Sequence, residues 1–264
     1  MNASNNGATL YGLGVGPGDP ELITLKARRI LGSVPVIAYP APEQGDSLSR
    51  AIAAAHVPDG LIEIAIRTPM TPGNFPADDV YDRYASEIAL HLKENRDVAV
   101  LCEGDPFLYG SFMYIFARLA GEYSFEVVPG VSSLGAVAAV AGRPLVSRNQ
   151  VLTVLPAPLD EKELERRLAD TDAAAIMKVG RHLQKVKRVL SRLGLDEGAE
   201  YVERASMTDE KVLPLAEAPD GGAPYFSMIL VRRAEEIEAW APGGVRKMSP
   251  WWPWGRVGSI LPPR

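Results

Sequence analysis

Apolar positions recur with two alternating periods along most of the chain, short unbroken runs exchanging with faces spaced for helices. Residues 9–15 predict a first strand, and Ile23, Ala27, Ile30 and Leu31 fall at i, i+4, i+7 and i+8, one face of a helix. Val36, Ile37, Ala38 and Tyr39 read as a second strand. Tyr81, Tyr84, Ala85, Ile88 and Leu92 repeat the helical spacing, and that helix leads into residues 98–102, an apolar run suited to a strand covered on both faces. Residues 125–128 predict another strand, and the small-residue stretch 132–141 a closely packed helix stopped by Gly142, Arg143 and Pro144. The alternation restarts with a strand over 151–155, a charged helix over 160–169 and a strand over 173–177. A helix marked by Leu183, Val186, Val189, Leu190 and Leu193 follows, with later strands at 201–203 and 226–231. Strands exchanging with helices in this way predict an α/β architecture with largely parallel strands.

At 264 residues the chain suits two compact halves sharing a cleft. The apolar pattern breaks at Ser147, Arg148, Asn149 and Gln150, which places the boundary between domains 9–147 and 148–240. Residues 1–8 read as a disordered tail without the charged-then-apolar pattern of a signal peptide. No run of about 18 apolar residues could span a bilayer, so a cytoplasmic protein with no membrane partner is expected. Residues 66–79, with Pro69, Pro72, Gly73 and Pro76, form a loop that either covers a cleft or is a plain surface connection. Residues 241–264 form a tail rich in proline and tryptophan, including Trp251, Trp252 and Trp254.

A net charge of −5 gives no basic excess for nucleic acid, and none is expected as a partner. Cys102 is the single cysteine, which excludes an internal disulfide. His56, His91 and His182 are too scattered for a zinc cluster, so no metal is assigned.

The first strand runs into Gly12-Leu13-Gly14-Val15-Gly16-Pro17-Gly18-Asp19-Pro20. A dinucleotide fingerprint fails here, because Pro17 removes an N–H that a pyrophosphate would use and Asp19 puts negative charge where phosphate would sit. The second strand also lacks the acidic residue that would hold a ribose. A second loop, Cys102-Glu103-Gly104-Asp105-Pro106, again pairs glycine with an acid before proline. Two explanations stand side by side: Asp19 and Asp105 cap helices beginning at Pro20 and Pro106, or the loops receive a positively charged ligand such as an adenosyl sulfonium.

Residues 14–20, 103–106 and the string Val128-Pro129-Gly130-Val131-Ser132-Ser133 occur in the order found in the tetrapyrrole methylases of cobalamin and sirohaem synthesis, which the chain resembles over roughly residues 9–240. The strings at 107–114, 177–182 and 201–205 resemble most the branch that methylates precorrin-2 at C20. The resemblance implies two α/β domains, a mainly parallel N-terminal sheet and a mixed C-terminal one, with S-adenosylmethionine bound in the cleft between them, usually in a homodimer. Family donor-binding positions correspond to Pro17, Glu103, Gly104, Asp105, Ser132 and Ser133, and in the second domain to Met177, Ala205, Tyr225, Phe226 and Ser227. The tail after about residue 240 exceeds the family pattern.

Methyl transfer to carbon from a donor with an activated leaving group needs positioning and desolvation more than a catalytic triad. A proton must then leave C20, and His182, Glu103 and Tyr109 are the candidate acceptors. A substrate with many carboxylates calls for cations beside the cleft, here Arg67, Arg143, Arg148, Lys178, Arg181 and Arg204. Tyr109 and Tyr114, in a stretch with Phe107, Phe112 and Met113, are candidates to line a flat macrocycle pocket. Other expectations stay open: a cobalt-loaded substrate, another tetrapyrrole carbon, methylation of RNA or protein, or a non-catalytic sensor of the donor.

Overall fold

The computed structural model describes residues 7–68 and 78–233. Most of the expected tail 1–8, most of the proline-containing loop and the tail 241–264 lie outside the described residues.

Five strands form a wholly parallel first sheet: β1 (Thr9–Gly14), β2 (Val36–Pro42), β3 (Ile62–Thr68), β4 (Val98–Cys102) and β5 (Ser124–Val128), in the order β3-β2-β4-β1-β5. Both faces are covered, which explains the unbroken apolar run of β4. Side chains alternate across a strand: Val98, Val100 and Cys102 meet α3 (Asp78–Lys93) and α4 (Phe112–Leu119) on one face. Ala99 and Leu101 meet α1 (Leu25–Leu31) and α2 (Leu48–Ala53) on the other. The first helix begins two residues later than the periodicity suggests, because Thr24 caps it: its hydroxyl accepts the Ala27 N–H at 3.2 Å.

The second sheet is mixed, in the order β6-β7-β10-β8-β9. β6 (Leu152–Pro156) and β7 (Ala173–Met177) are parallel, while β8 (Glu200–Glu203), β9 (Lys211–Pro214) and β10 (Ser227–Arg232) pair antiparallel. One face buries Leu164 and Leu168 of α6 (Glu161–Leu168) and Leu183, Val186, Val189 and Leu190 of α7 (Leu183–Arg192). Its other face receives α5 (Ser133–Val140), whose Ala136 and Val137 pack on Ala175, Val202, Ala205, Met228 and Leu230. The small residues of α5 thus bring the end of the first half onto the second sheet, ahead of the expected boundary at 147–148. No helix among the described residues is long and apolar enough to cross a membrane.

Candidate active site

Three loops leave the C-terminal ends of β1, β4 and β5 and meet backbone to backbone. Gly104 donates its N–H to the Gly16 carbonyl at 2.8 Å, and Val15 donates to the Cys102 carbonyl at 2.9 Å. A Cβ on Gly14 would lie 2.5 Å from the Gly104 oxygen, and one on Gly130 would lie 1.9 Å from it. These glycines are therefore required by mutual contact of the loops. Ligands of open α/β sheets bind at such strand ends, where the connections diverge to either side.

The two loop aspartates serve the backbone. One oxygen of Asp19 accepts the Glu21 N–H at 2.8 Å and caps a single 3-10 turn, Pro20–Leu22. Asp105 accepts the N–H groups of Phe107 and Leu108 on one oxygen and that of Gly130 on the other, at 2.9, 3.2 and 3.1 Å. It ties the second loop to the third, and no helix begins at Pro106; α4 starts only at Phe112. Of the two explanations for the acidic loops, capping describes both side chains, with a turn in place of the second expected helix.

Above these loops, between the sheets, lies a cleft of about 480 Å³, within the usual size of a ligand site. The first half contributes Pro17, Glu103, Gly104, Asp105, Tyr109, Tyr114, Ser132 and Ser133. From the second come Met177, Lys178, Arg204, Ala205, Tyr225, Phe226 and Ser227. The halves also touch directly beside it: Ser206 Oγ accepts the Asp19 N–H at 3.2 Å.

Backbone strain gathers around this cleft. Tyr109, Lys178, Arg204 and Ser206 all have positive φ, between 50° and 66°, a conformation that costs non-glycine residues of order 1 kcal/mol or more and collects at functional sites. Two of them meet across the opening, with Lys178 Nζ 4.7 Å from the centre of the Tyr109 ring, a cation–π contact between the halves. Burial holds the Lys178 ammonium below the usual lysine range. Arg204 is ion-paired to Asp209.

Glu103 stands in the first-half wall. Its Oε1 accepts the Ser49 N–H at 3.1 Å, and burial raises its carboxyl above the usual range. Tyr225, across the cleft, is raised by burial and then by the charges of Glu103 and Tyr114. Behind the wall the Cys102 thiol is pushed up to about 12 by burial and by Glu103, so it remains a core thiol.

The structure sorts the expected residues. Every position proposed for the donor lies on the cleft wall, as do Tyr109, Tyr114, Lys178 and Arg204. The other cations and one histidine do not. Arg143 pairs with Glu200 at 2.8 Å, while Arg67 holds the carbonyls of Pro42, Glu43 and Gly45 at 2.8, 3.3 and 3.4 Å. Arg148, Arg181 and His182 lie away from the wall. In the aromatic string, Met113 joins Tyr109 and Tyr114 on the wall, Phe112 is wholly buried, and Phe107 stacks outward against Phe116. The wall also uses Pro42, Asp46, Leu48, Thr68 and Tyr81, from the end of β2, the segment leading into α2 and the start of that helix, the end of β3 and α3. No local motif marks them.

A two-domain α/β protein with a cleft over three interlocked glycine loops is the class that fold and site define. The family model for Tetrapyrrole (Corrin/Porphyrin) Methylases matches residues 9–219, and the chain belongs to that family. It is 44% identical over 230 residues to a precorrin-2 C(20)-methyltransferase of Sinorhizobium sp, covering 84% of this chain and 94% of that protein. It is 42% identical over 247 residues to the cobalamin biosynthesis protein CobIJ of Mycobacterium tuberculosis; the match covers 90% of this chain but spans about half of that relative, 47%. Among solved structures, a uroporphyrin-III C-methyl transferase from Thermus thermophilus complexed with S-adenyl homocysteine superposes with a TM-score of 0.63. Its sequence identity is 26%, with 85% of this chain and 92% of that one covered.

Proposed function

We propose that this chain transfers the methyl group of S-adenosylmethionine to C20 of precorrin-2, giving precorrin-3A and S-adenosylhomocysteine in cobalamin biosynthesis. The 44% identity to the Sinorhizobium precorrin-2 C(20)-methyltransferase, over nearly all of that protein, carries this reading. The donor supplies a methyl on a sulfonium, an electrophile that needs no further activation.

The residues present fit such a donor. The Gly104 loop offers bare backbone that any Cβ on Gly14 or Gly130 would strike, and Met177, Val137 and Ala205 supply an apolar surface beside it. On this reading the loops and α5 hold the donor while the opening admits the tetrapyrrole. Lys178, beside Arg204, which Asp209 already pairs, meets one of its carboxylates, and Tyr109, Met113 and Tyr114 lie along its ring. Closing these walls around the reacting atoms excludes water and fixes an in-line approach, which is how positioning lowers the barrier. The test is product analysis: one methyl gained by precorrin-2 with one S-adenosylhomocysteine released supports the reading, and no methyl gained rejects it.

The same reading makes the protein a cytoplasmic homodimer. Supporting it, α5 after Ser133 carries only apolar residues and glycine although only Ala136 and Val137 are buried, an arrangement expected of a helix that gains a further cover. In the first sheet β5 is an edge strand with exposed Phe125 edge-to-face with Phe116 at 4.8 Å. Light scattering is expected to give twice the 28.5 kDa chain mass; a single chain mass contradicts the dimer.

A further inference from the structure

Methylation of a ring carbon bearing hydrogen leaves a proton to remove. The π electron pair at C20 forms the new C–CH3 bond, the C–S bonding pair returns to sulfur, and positive charge passes to the macrocycle. Loss of the C20 proton, whose bonding pair returns to the ring, restores its conjugation. The charge on the donor sulfur disappears in the same step.

We propose that the carboxylate of Glu103 takes the proton from C20 after the methyl has been transferred. The inference rests on the methyltransferase reading and adds the residue that completes it.

Three carboxylic acids line the cleft: Asp46, Glu103 and Asp105. Asp105 has both oxygens engaged by the N–H groups of the second and third loops, and moving it would loosen the glycine contacts. Asp46 is exposed, in the segment before α2. Glu103 follows β4 directly, at the strand end where the three loops meet. Its carboxyl accepts from its own backbone N–H and from Ser49, at the start of α2, through the N–H to Oε1 and the hydroxyl. That hydroxyl lies 3.1 Å from the Ser47 hydroxyl, so the carboxyl is held by neutral donors while Glu103 lines the cleft. No arginine or lysine among the described residues pairs with it.

The groups around it are of one kind. Cys102 lies behind it in β4, Asp105 two residues on, and Tyr225 across the cleft from the segment before β10; none of these is a cation. The carboxyl therefore lacks a built-in counter-charge, and burial alone raises it. A sulfonium in the cleft would supply that counter-charge and favour the carboxylate before transfer. Once the positive charge has moved to the macrocycle, the carboxylate faces the acid it must deprotonate, and the protonated carboxyl then sits beside a neutral sulfide. His182 lies off the wall, and Tyr109 carries the Lys178 ammonium on its ring, which leaves Glu103 as the acceptor in the right place.

Donor binding should then displace a proton from Glu103. Calorimetry of the wild-type protein in buffers of different ionisation enthalpy, at a pH where the carboxyl is partly protonated, is expected to show release of up to about one proton with S-adenosylmethionine. Release should be smaller with the uncharged sulfide S-adenosylhomocysteine. Equal release with both ligands overturns the proposal.

Glu103→Gln should remove that difference, weaken binding of S-adenosylmethionine more than that of S-adenosylhomocysteine, and lower kcat by about 100-fold or more. With precorrin-2 deuterated at C20, the variant should show a primary isotope effect absent from the wild type, because proton removal becomes limiting. The acid limb of the wild-type kcat/KM profile for the donor, where activity falls as pH drops through the raised carboxyl of the free protein, should vanish in the variant. An unchanged limb and no isotope effect mean that Glu103 only supports the wall. If the wild type itself adds no methyl at C20, the methyltransferase reading fails first; if it does and the variant behaves like it, only the assignment of Glu103 fails.

Discussion

Alanine at position 130 is expected to cut methyl transfer by about 100-fold or more and to destabilise the fold. The substituted Cβ would sit 1.9 Å from the Gly104 carbonyl oxygen and within 2.8 Å of the Gly14 Cα. Both neighbours are backbone, held by the Gly104 to Gly16 hydrogen bond and by the grip of Asp105 on Gly130, so neither yields by rotating a side chain. Forcing the loops apart should cost about 1–3 kcal/mol of stability. A displacement of about 1 Å at the donor site should lower kcat/KM by about 100-fold or more. Gly121→Ala is the matched control, since a Cβ there meets nothing within 4 Å. Thermal unfolding and donor calorimetry on the two variants decide the matter. Equal behaviour of Gly130→Ala and Gly121→Ala would mean that the loop contact is not what shapes the site.

Lys178→Ala is the second large effect, and it should separate the two ligands. Lys178 stands on the Tyr109 ring with no carboxylate among the described residues within ion-pairing distance, whereas Arg204 on the same wall is already paired with Asp209. A polycarboxylate entering the cleft thus finds Lys178 as the available counter-charge. Hydrogen bonds to charged groups contribute about 1.5–3 kcal/mol, so kcat/KM for the tetrapyrrole should fall roughly 10- to 100-fold, while the donor Kd changes by less than about twofold. Burial lowers the Lys178 ammonium, and the bound form needs that charge. Substrate affinity should accordingly weaken as pH rises through its lowered value, and this alkaline limb should disappear in the variant. Equal losses for both ligands would place Lys178 in the architecture of the cleft instead.

Much of the first sheet is legible in the chain because two-sided burial writes itself as unbroken apolar runs, as in residues 98–102, and because helices α3 and α7 carry full stripes. The elements that escape notice have physical reasons. β3 (Ile62–Thr68) stands at the sheet edge and alternates Ile62, Ile64 and Ile66 with Glu63, Ala65 and Arg67, so it carries no unbroken apolar run of the kind that marks β4. Helix α2 has six residues, and α4 hides within a string conspicuous for its aromatics. β9 is a four-residue edge strand with exposed Lys211 and Val212.

The glycine loops show where local pattern ends. Their spacing excludes a dinucleotide site, but that Gly14, Gly104 and Gly130 touch one another depends on the strand order β4-β1-β5, which no local window contains. The cations make the same point: of six arginines and lysines near loops and strand ends, only Lys178 and Arg204 reach the wall. Arg143 and Arg67 are held by Glu200 and by three carbonyls that lie far from them in sequence.

The most direct test of the proposed activity is an anaerobic incubation of the purified protein with methyl-labelled S-adenosylmethionine and either precorrin-2 or its cobalt complex, followed by mass analysis and carbon NMR. One labelled methyl at C20 of the metal-free substrate is the expected result. Preference for the cobalt complex would correct the substrate, a methyl on another carbon would correct the position, and donor binding without methylation of either macrocycle would contradict the proposed function.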